Sequence, residues 1–408
     1  MPAFGTEILS MAEHLAQWSD VQGSLTCAYL TPAHRKTAAQ IHAWMEAAGM
    51  TVTVDAVGNV VGRYAAARPG AKALMTGSHY DTVRNGGKYD GRLGILLPIV
   101  VVAELNRSGR RLPFDLEVIG FAEEEGVRFS ATLMGSRAVV GRFDPDALGR
   151  KDADGTTVAE AMVAAGLDPS AIPSVARRRE TVLGFLEVHI EQGPVLLDEG
   201  LPVGVVTGIA GSTRHLVTIT GTAGHAGTVP MPLRHDAAAA AAEIVLYVEK
   251  RCSFAPGLVG TVGKLAVLQG AINVIPGACE LSLDIRAGDD ATRDLAIADV
   301  LVEIDQVAKR RGVRIDVAEV MRGPAVPCAP RLQALFADAV TRAGVPVRHL
   351  PSGAGHDAML FDGFCDLAML FVRCGNGGIS HNPLETMTAD DADLAARIFR
   401  DTLEHFPA

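Results

Sequence analysis

The chain has 408 residues, 48% of them hydrophobic and 21% charged, with a formal net charge of −10. That length exceeds what one hydrophobic core usually organises, so two domains are expected, and so high an apolar content excludes a disordered chain. The excess negative charge excludes nucleic acid and anionic membrane as partners, because phosphate binding needs a basic surface.

The first residues, Met1-Pro-Ala-Phe-Gly-Thr-Glu-Ile-Leu9, lack the basic start and long apolar core of a signal peptide. The longest apolar run, residues 95–105, is too short for a bilayer and contains Pro98 and Glu104. A cytoplasmic location follows as the expectation, and six cysteines without a C-x-x-C pair suit reduced thiols there. Cys374 has no activating base beside it and reads as packing.

In chain order, a strand over 73–78, a helix over 93–106 and strands over 116–122 and 185–190 predict a mixed, largely parallel sheet with helices on both faces. From residue 212 the texture changes to a strand (215–220), a helix (236–250), two strands (260–268 and 279–286), a helix (291–311) and a strand (313–320). Four strands and two helices predict a smaller α+β domain. The proline-rich stretch 323–330 reads as a linker. The α/β texture then returns with a helix over 332–343, a strand over 366–372 and a helix over 390–404. Residues 1–211 and 324–408 are therefore expected to form one domain into which 212–323 is inserted.

Five residues at or just past the ends of apolar runs, His79, Asp90, Glu125, His189 and His381, share metal-ligand chemistry. Beyond the carboxyl ends of strands in an open α/β sheet lies the crevice where ligands bind. Imidazole nitrogen and carboxylate oxygen suit zinc and similar ions, and a carboxylate can bridge two ions roughly 3.5–4 Å apart. One such residue alone is ordinarily structural; five together point to a metallohydrolase. Alternation cannot say which of Glu123, Glu124 and Glu125 is ligand and which is base. Gly353-Ala-Gly-His-Asp-Ala358 matches a dinucleotide fingerprint, but Arg373 stands about twenty residues on, where that fold wants an acidic residue. No G-x-S-x-G elbow supports covalent acyl transfer.

The segments Gly77-Ser-His-Tyr-Asp-Thr-Val83, Asn85-Gly-Gly-Lys-Tyr-Asp-Gly91, Glu123-Glu-Glu-Gly-Val-Arg-Phe129, His189-Ile-Glu-Gln-Gly-Pro194, Gly224-His-Ala-Gly-Thr228, Asn273-Val-Ile-Pro276, Asp284-Ile-Arg286, Ser352-Gly-Ala-Gly-His-Asp-Ala358 and Gly378-Ile-Ser-His-Asn-Pro383 run in order through nearly the whole chain. Together they resemble the allantoate amidohydrolase and N-carbamoyl-L-amino-acid hydrolase branch of the dinuclear, aminoacylase-like metallopeptidase superfamily. The resemblance implies two divalent ions per subunit, Zn or Mn, with Co or Ni also acceptable to these ligands. One ion would be held by His79, Asp90 and His189 and the other by Asp90, Glu125 and His381. It also implies Asp81 behind His79, fixing its tautomer, and Glu124 as general base and acid. Gln192, His225, Asn273, Arg286, Gly355 and His356 would hold the substrate, with His225 reaching across a homodimer interface and the inserted domain acting as lid and dimerisation module.

The substrate implied is a small ureido carboxylate. Allantoate comes first, N-carbamoyl-L-amino acids second and β-ureidopropionate third, the first preference resting on residues 82–94. A dipeptidase or aminoacylase would not be expected to carry His189 within His-Ile-Glu-Gln-Gly, and a non-catalytic binding homodimer would have lost a ligand or Glu124. The chain departs from the pattern at Val229 and at Leu233-Arg234-His235, beside His225.

Overall fold

In the computed structural model, which describes residues 4–407, four parallel strands lie side by side in the order Asp115–Phe121, Ala73–His79, Val182–Ile190 and Leu367–Val372. Antiparallel strands extend both flanks, Val60–Tyr64 and Thr51–Val54 on one side and Val203–Ile209 on the other. The mixed sheet expected from the sequence forms, but it is parallel only in its four central strands and antiparallel on both flanks, so it is not largely parallel. Its central strands are buried along almost their whole length, which is why they read as continuous apolar runs rather than alternating ones. Helix Leu93–Arg107 is apolar almost all round and correspondingly buried, packed against the central strands and flanked by helices Phe4–Leu15 and Ala389–Glu404.

Parallel pairing has one consequence for chemistry: it brings four carboxyl ends to the same edge. His79 is the last residue of its strand, His189 the penultimate residue of another, and Phe121 stands two residues before Glu123. Leu367–Val372 leads into the loop that carries His381.

The chain divides into two units: everything up to Thr207 with Cys328–Leu350 and the chain from Gly355 on, and Gly208–Pro327 with Pro351–Ala354. These boundaries lie outside the expected 212–323. The physical reason is that Val326 and Pro327 pair with Ile209 and Gly208, so the proline-rich stretch is an edge pairing and not a free linker. Its last proline, Pro330, opens helix Pro330–Arg342, where a missing N–H leaves nothing unsatisfied.

In the second unit an antiparallel sheet runs Leu265–Val267, Ala278–Ala287, Gly211–Thr220, Arg314–Gly323, with Leu258–Thr261 also on Ala278–Ala287. The single strand expected over 260–268 is therefore two, separated at Gly263-Lys264 and aligned with different halves of the same partner. Cys279, Leu281, Leu283, Ile285 and Ala287 face a core shared with helices Ala237–Ser253 and Asp290–Arg311. Glu280, Ser282, Asp284 and Arg286 take the opposite face by strict alternation. Helix Asp290–Arg311 is capped by the Asp289 carboxylate, which accepts from Thr292 N at 2.8 Å, and ends at Gly312 in the left-handed conformation. Among the described residues no helix is long and apolar enough to cross a membrane.

Candidate metal centre

Asp90 is where the expected ligands meet. One carboxylate oxygen lies 3.7 Å from His79 Nε2 and 3.4 Å from His189 Nε2, and the other lies 3.1 Å from His381 Nε2. Glu125 Oε1 is 3.7 Å from the same His381 nitrogen. Ligand atoms of His79, Asp90 and His189 fall within 4.8 Å of one another, as do those of Asp90, Glu125 and His381.

The main chain fixes which nitrogens face inward. A carbonyl only accepts, so His189 Nδ1 donates to Ile190 O at 2.8 Å, while its unprotonated Nε2 accepts from Gly91 N at 3.2 Å on the side of the ring that faces Asp90. Burial lowers the pKa of His189 to about 4, which leaves the ring neutral. His79 Nδ1 donates to the Asp81 carbonyl at 3.1 Å, with the Asp81 carboxylate 3.5 Å away. Gly91, at φ 67, passes so close to the His79 ring that a Cβ would lie 2.5 Å from it. A side chain there would displace the His79 ring.

The Asp81 carboxylate has a second role that spacing did not suggest. Its two oxygens accept from Glu124 N and Glu125 N, both at 3.1 Å, and so tie the end of one strand to the turn after the next. Asp90 is held in turn by residues the sequence reading missed. Buried Glu385 accepts from Tyr89 N at 2.8 Å and Asp90 N at 3.2 Å through one oxygen. Its other oxygen lies 2.7 Å from Ser380 Oγ, which is itself 3.1 Å from Asp90. Ser380 lies inside the Gly378–Pro383 segment and Glu385 two residues beyond it, and nothing in their spacing announces the contact with Asp90. Gln192, expected on the substrate, donates to Asp90 at 2.9 Å, and both Gln192 and His381 hold left-handed backbone conformations rare for such residues.

Burial holds the Glu124 and Glu123 carboxyls well above the usual range and pushes Glu125 up to about 7. Burial resists protonation of His79, but Asp81 and Asp90 outweigh it and raise its pKa well above the ordinary histidine value. Burial first, and neighbouring negative charge second, thus favour the protonated forms of the Glu123 and Glu125 carboxyls. Imidazole nitrogens and carboxylate oxygens grouped around the Asp90 carboxylate are a donor set that fits divalent transition ions.

His356 is buried, packing edge-on against His189 with ring centroids 4.5 Å apart, next to Gly355. Glu187 lies near both histidines, but its oxygens already accept from Ser78 Oγ at 2.7 Å and Ala358 N at 3.0 Å. Buried Cys374 has its thiol pushed up to about 12 by desolvation, as a packing residue should.

His225, Asn273 and Arg286 belong to the second unit. The first two are brought together by a short pairing of Gly224–His225 with Val274–Ile275, in which Ala226 N donates to Asn273 O at 3.0 Å. His225 is exposed, and its Nδ1 accepts from Gly227 N at 3.0 Å. Arg234, within one departure from the family pattern, fastens this loop by donating to Ala226 O at 2.6 Å and to Val229 O at 3.1 Å. Arg286 is bidentate to Asp284 at 2.7 and 3.0 Å and donates to Gly353 O at 2.8 Å. One N–H on each terminal nitrogen remains for another acceptor.

A parallel-stranded α/β sheet with this histidine and carboxylate cluster at its strand ends has the architecture of a hydrolase. The chain belongs to peptidase family M20/M25/M40, whose profile matches residues 75–405. It is 40% identical over 381 residues to the N-carbamoyl-L-amino acid amidohydrolase of Geobacillus stearothermophilus, covering 93% of each chain. It is likewise 40% identical to a probable allantoate deiminase of Oryza sativa subsp. japonica, over 94% of this chain and 85% of that protein. The crystal structure of an amidase of the hydantoinase/carbamoylase family from Burkholderia multivorans superposes with a TM-score of 0.92 at 32% identity, covering 98% of this chain and 97% of that one.

Metal-free protein should show the cost of this crowding as a pH dependence. Glu187 titrates at about 8 and Glu125 and Asp357 at about 7, all raised first by burial, against ordinary carboxyl values of 4.5 and 3.8. Between about pH 6.5 and 8 the folded state then binds more protons than the unfolded one, so stability falls as pH rises. Urea midpoints measured with a chelator should drop across that window. Saturating Zn or Mn should flatten the slope, and a rising midpoint without metal would contradict the charge balance described above.

Proposed function

We propose that the chain hydrolyses the ureido C–N bond of a small carboxylate, allantoate first, with N-carbamoyl-L-amino acids second and β-ureidopropionate third. The observation that carries the reading is the division of the Asp90 carboxylate, one oxygen toward His79 and His189 and the other toward His381 and Glu125. In this reading the first trio and the second each hold one divalent ion. Such ions supply Lewis acidity, which makes a carbonyl more electrophilic and water more acidic at neutral pH. Identity near 40% to both an N-carbamoyl amino acid amidohydrolase and an allantoate deiminase supports the bond type and leaves the two substrates as competitors.

The protein's own groups account for the proton traffic. Glu124, whose amide is pinned by Asp81, takes a proton from the attacking water as the new C–O bond forms at the ureido carbon. It returns that proton to the departing nitrogen as the C–N bond breaks. The carbamate released decomposes to carbon dioxide and ammonia. Asp81 and Ile190 O hold the tautomers of His79 and His189, and Glu385 with Gln192 orients Asp90. His356 and Gly355 line the approach, while His225 and Asn273 act on the carbonyl and Arg286 on the carboxylate.

Glu124→Gln is expected to retain metal and lower kcat by roughly 10²–10⁴, whereas Glu125→Gln should lose metal. Metal analysis beside ammonia release from allantoate, N-carbamoyl-L-amino acids and β-ureidopropionate, after loading with Zn and with Mn, tests both the roles and the substrate order. The reverse pattern of metal loss would exchange the two assignments.

Arg286→Lys keeps the charge but loses the planar fork and its grip on Asp284. kcat/KM for acid substrates should fall by about tenfold or more, while uncharged amide analogues, poor from the outset, should lose little further. Equal losses on acids and amides would make Arg286 structural.

The active unit in this reading is a homodimer built through the second unit, where Leu216, Val320, Leu265, Val267 and Ile272 expose apolar surface. His225 then serves the partner's site. Mixing inactive His225→Ala and Glu124→Gln subunits should recover part of the activity through hybrid dimers. Verified subunit exchange without recovery would place both residues in one chain's site.

A further inference from the structure

Strand Asp115–Phe121 ends two residues before Glu123, so its ladder cannot position the acidic turn beyond it. Its last pairings are Gly120 with Val60 on one side and Phe121 with His79 on the other, the second extended by Tyr80 N donating to Phe121 O. The next residue, Ala122, is held by two side chains. Its N–H donates to Asn59 Oδ1 at 3.0 Å, and its carbonyl accepts from His34 Nε2 at 2.6 Å.

Both side chains are locked in the orientation these bonds require. Asn59 Nδ2 donates to Asp55 at 2.8 Å and to Gly135 O at 3.1 Å, which leaves its oxygen to face Ala122. The His34 ring sits between Tyr80, 4.4 Å away between centroids, and Tyr29, 5.5 Å away and edge-on. Those two tyrosine hydroxyls donate to Gly58 O and Val57 O at 2.7 and 2.8 Å, and so brace the loop that carries Asn59. A carbonyl can only accept, so His34 is protonated on Nε2. Burial lowers its pKa to about 4 and keeps this neutral form in place at neutral pH. Beyond Ala122, Met134 N and Leu133 N donate to Glu123 O and Glu124 O, and Asp81 accepts from Glu124 N and Glu125 N.

We infer that His34 and Asn59 form a clamp on Ala122 that positions Glu124, making His34 a positioning residue for the reaction although it lies 90 residues away in sequence and touches no expected metal ligand. The inference rests on the general acid–base role proposed for Glu124. A proton shuttle works only within hydrogen-bond reach of both the water and the leaving nitrogen, and a displacement near 1 Å can cost about a hundredfold in rate. Release of Ala122 acts on that distance. It leaves the substrate contacts assigned to His225, Asn273 and Arg286 in place, so turnover and not binding should change.

The test compares His34→Leu, which removes the donor, with His34→Gln, whose Nε2 sits where the histidine's did. In protein loaded with Zn or Mn and assayed on whichever ureido substrate it turns over, His34→Leu should lower kcat by about tenfold to a hundredfold. KM should stay within about twofold and metal content should not change, and His34→Gln should restore kcat to within about threefold of wild type. A readout independent of turnover is hydrogen–deuterium exchange of the segment 119–134 in metal-free protein, faster in the Leu variant and near wild type in the Gln variant. A Leu variant with kcat within threefold of wild type, or a Gln variant as impaired as Leu, overturns the clamp. Where His34→Leu does not fold, His34→Asn replaces it, its amide being too short to reach the carbonyl; equal kcat for Asn and Gln would be the overturning result. Full activity of Glu124→Gln would instead remove the acid–base reading itself.

Discussion

A buried carboxylate facing three imidazoles sets the terms for the rest of this structure. Asp90 is 4% exposed, and an ionised group so far from water is tolerated only when its lone pairs are occupied and its charge is answered. Gln192 and Ser380 reach one oxygen, the Glu385 carboxylate holds the amide behind it, and three histidines arrive from separate segments to surround it. The parallel sheet makes that convergence feasible. Four strands running the same way end at one edge, and each needs to contribute only one or two polar residues there.

Much of this was legible in the sequence because it leaves a local mark. A buried parallel strand writes a continuous apolar run, and a polar residue at or just past its end is conspicuous, as His79, Glu125 and His189 are. The supports left no such mark. Glu385 reaches Asp90 across 295 residues of chain, and His34 reaches Ala122 across 88. A side chain that bonds a distant backbone group has neither period nor fixed spacing. The proline-rich stretch 323–330 misled for a related reason, since its composition speaks of broken local structure and is silent about an edge pairing with residues more than a hundred positions earlier.

The second unit shows alternation deciding orientation. On Ala278–Ala287 every second residue enters the helix-covered core, which forces Asp284 and Arg286 onto the other face together, opposite Arg214 on the neighbouring strand. Asp284 there bonds both arginines, at 2.9 Å to Arg214 and at 2.7 and 3.0 Å to Arg286. Two guanidinium groups sharing one carboxylate leave a surplus positive charge, with the Arg286 fork already fixed in its plane.

The inserted unit leaves and rejoins the first through neighbouring segments. Cys328 N donates to Thr207 O at 3.0 Å, so the two ends at which the insertion is spliced into the larger sheet are already hydrogen-bonded to each other. Whatever lies between them closes a loop whose mouth is a single β-pair wide. The fold therefore has a seam: the chain from Gly208 to Pro327 leaves and returns at one β-pair, and of the remaining chain only Pro351–Ala354 is grouped with it, held by Arg286 on Gly353 O. Variation in the length or sequence of this insertion can therefore arise without altering the chain connections of the strands that end around Asp90.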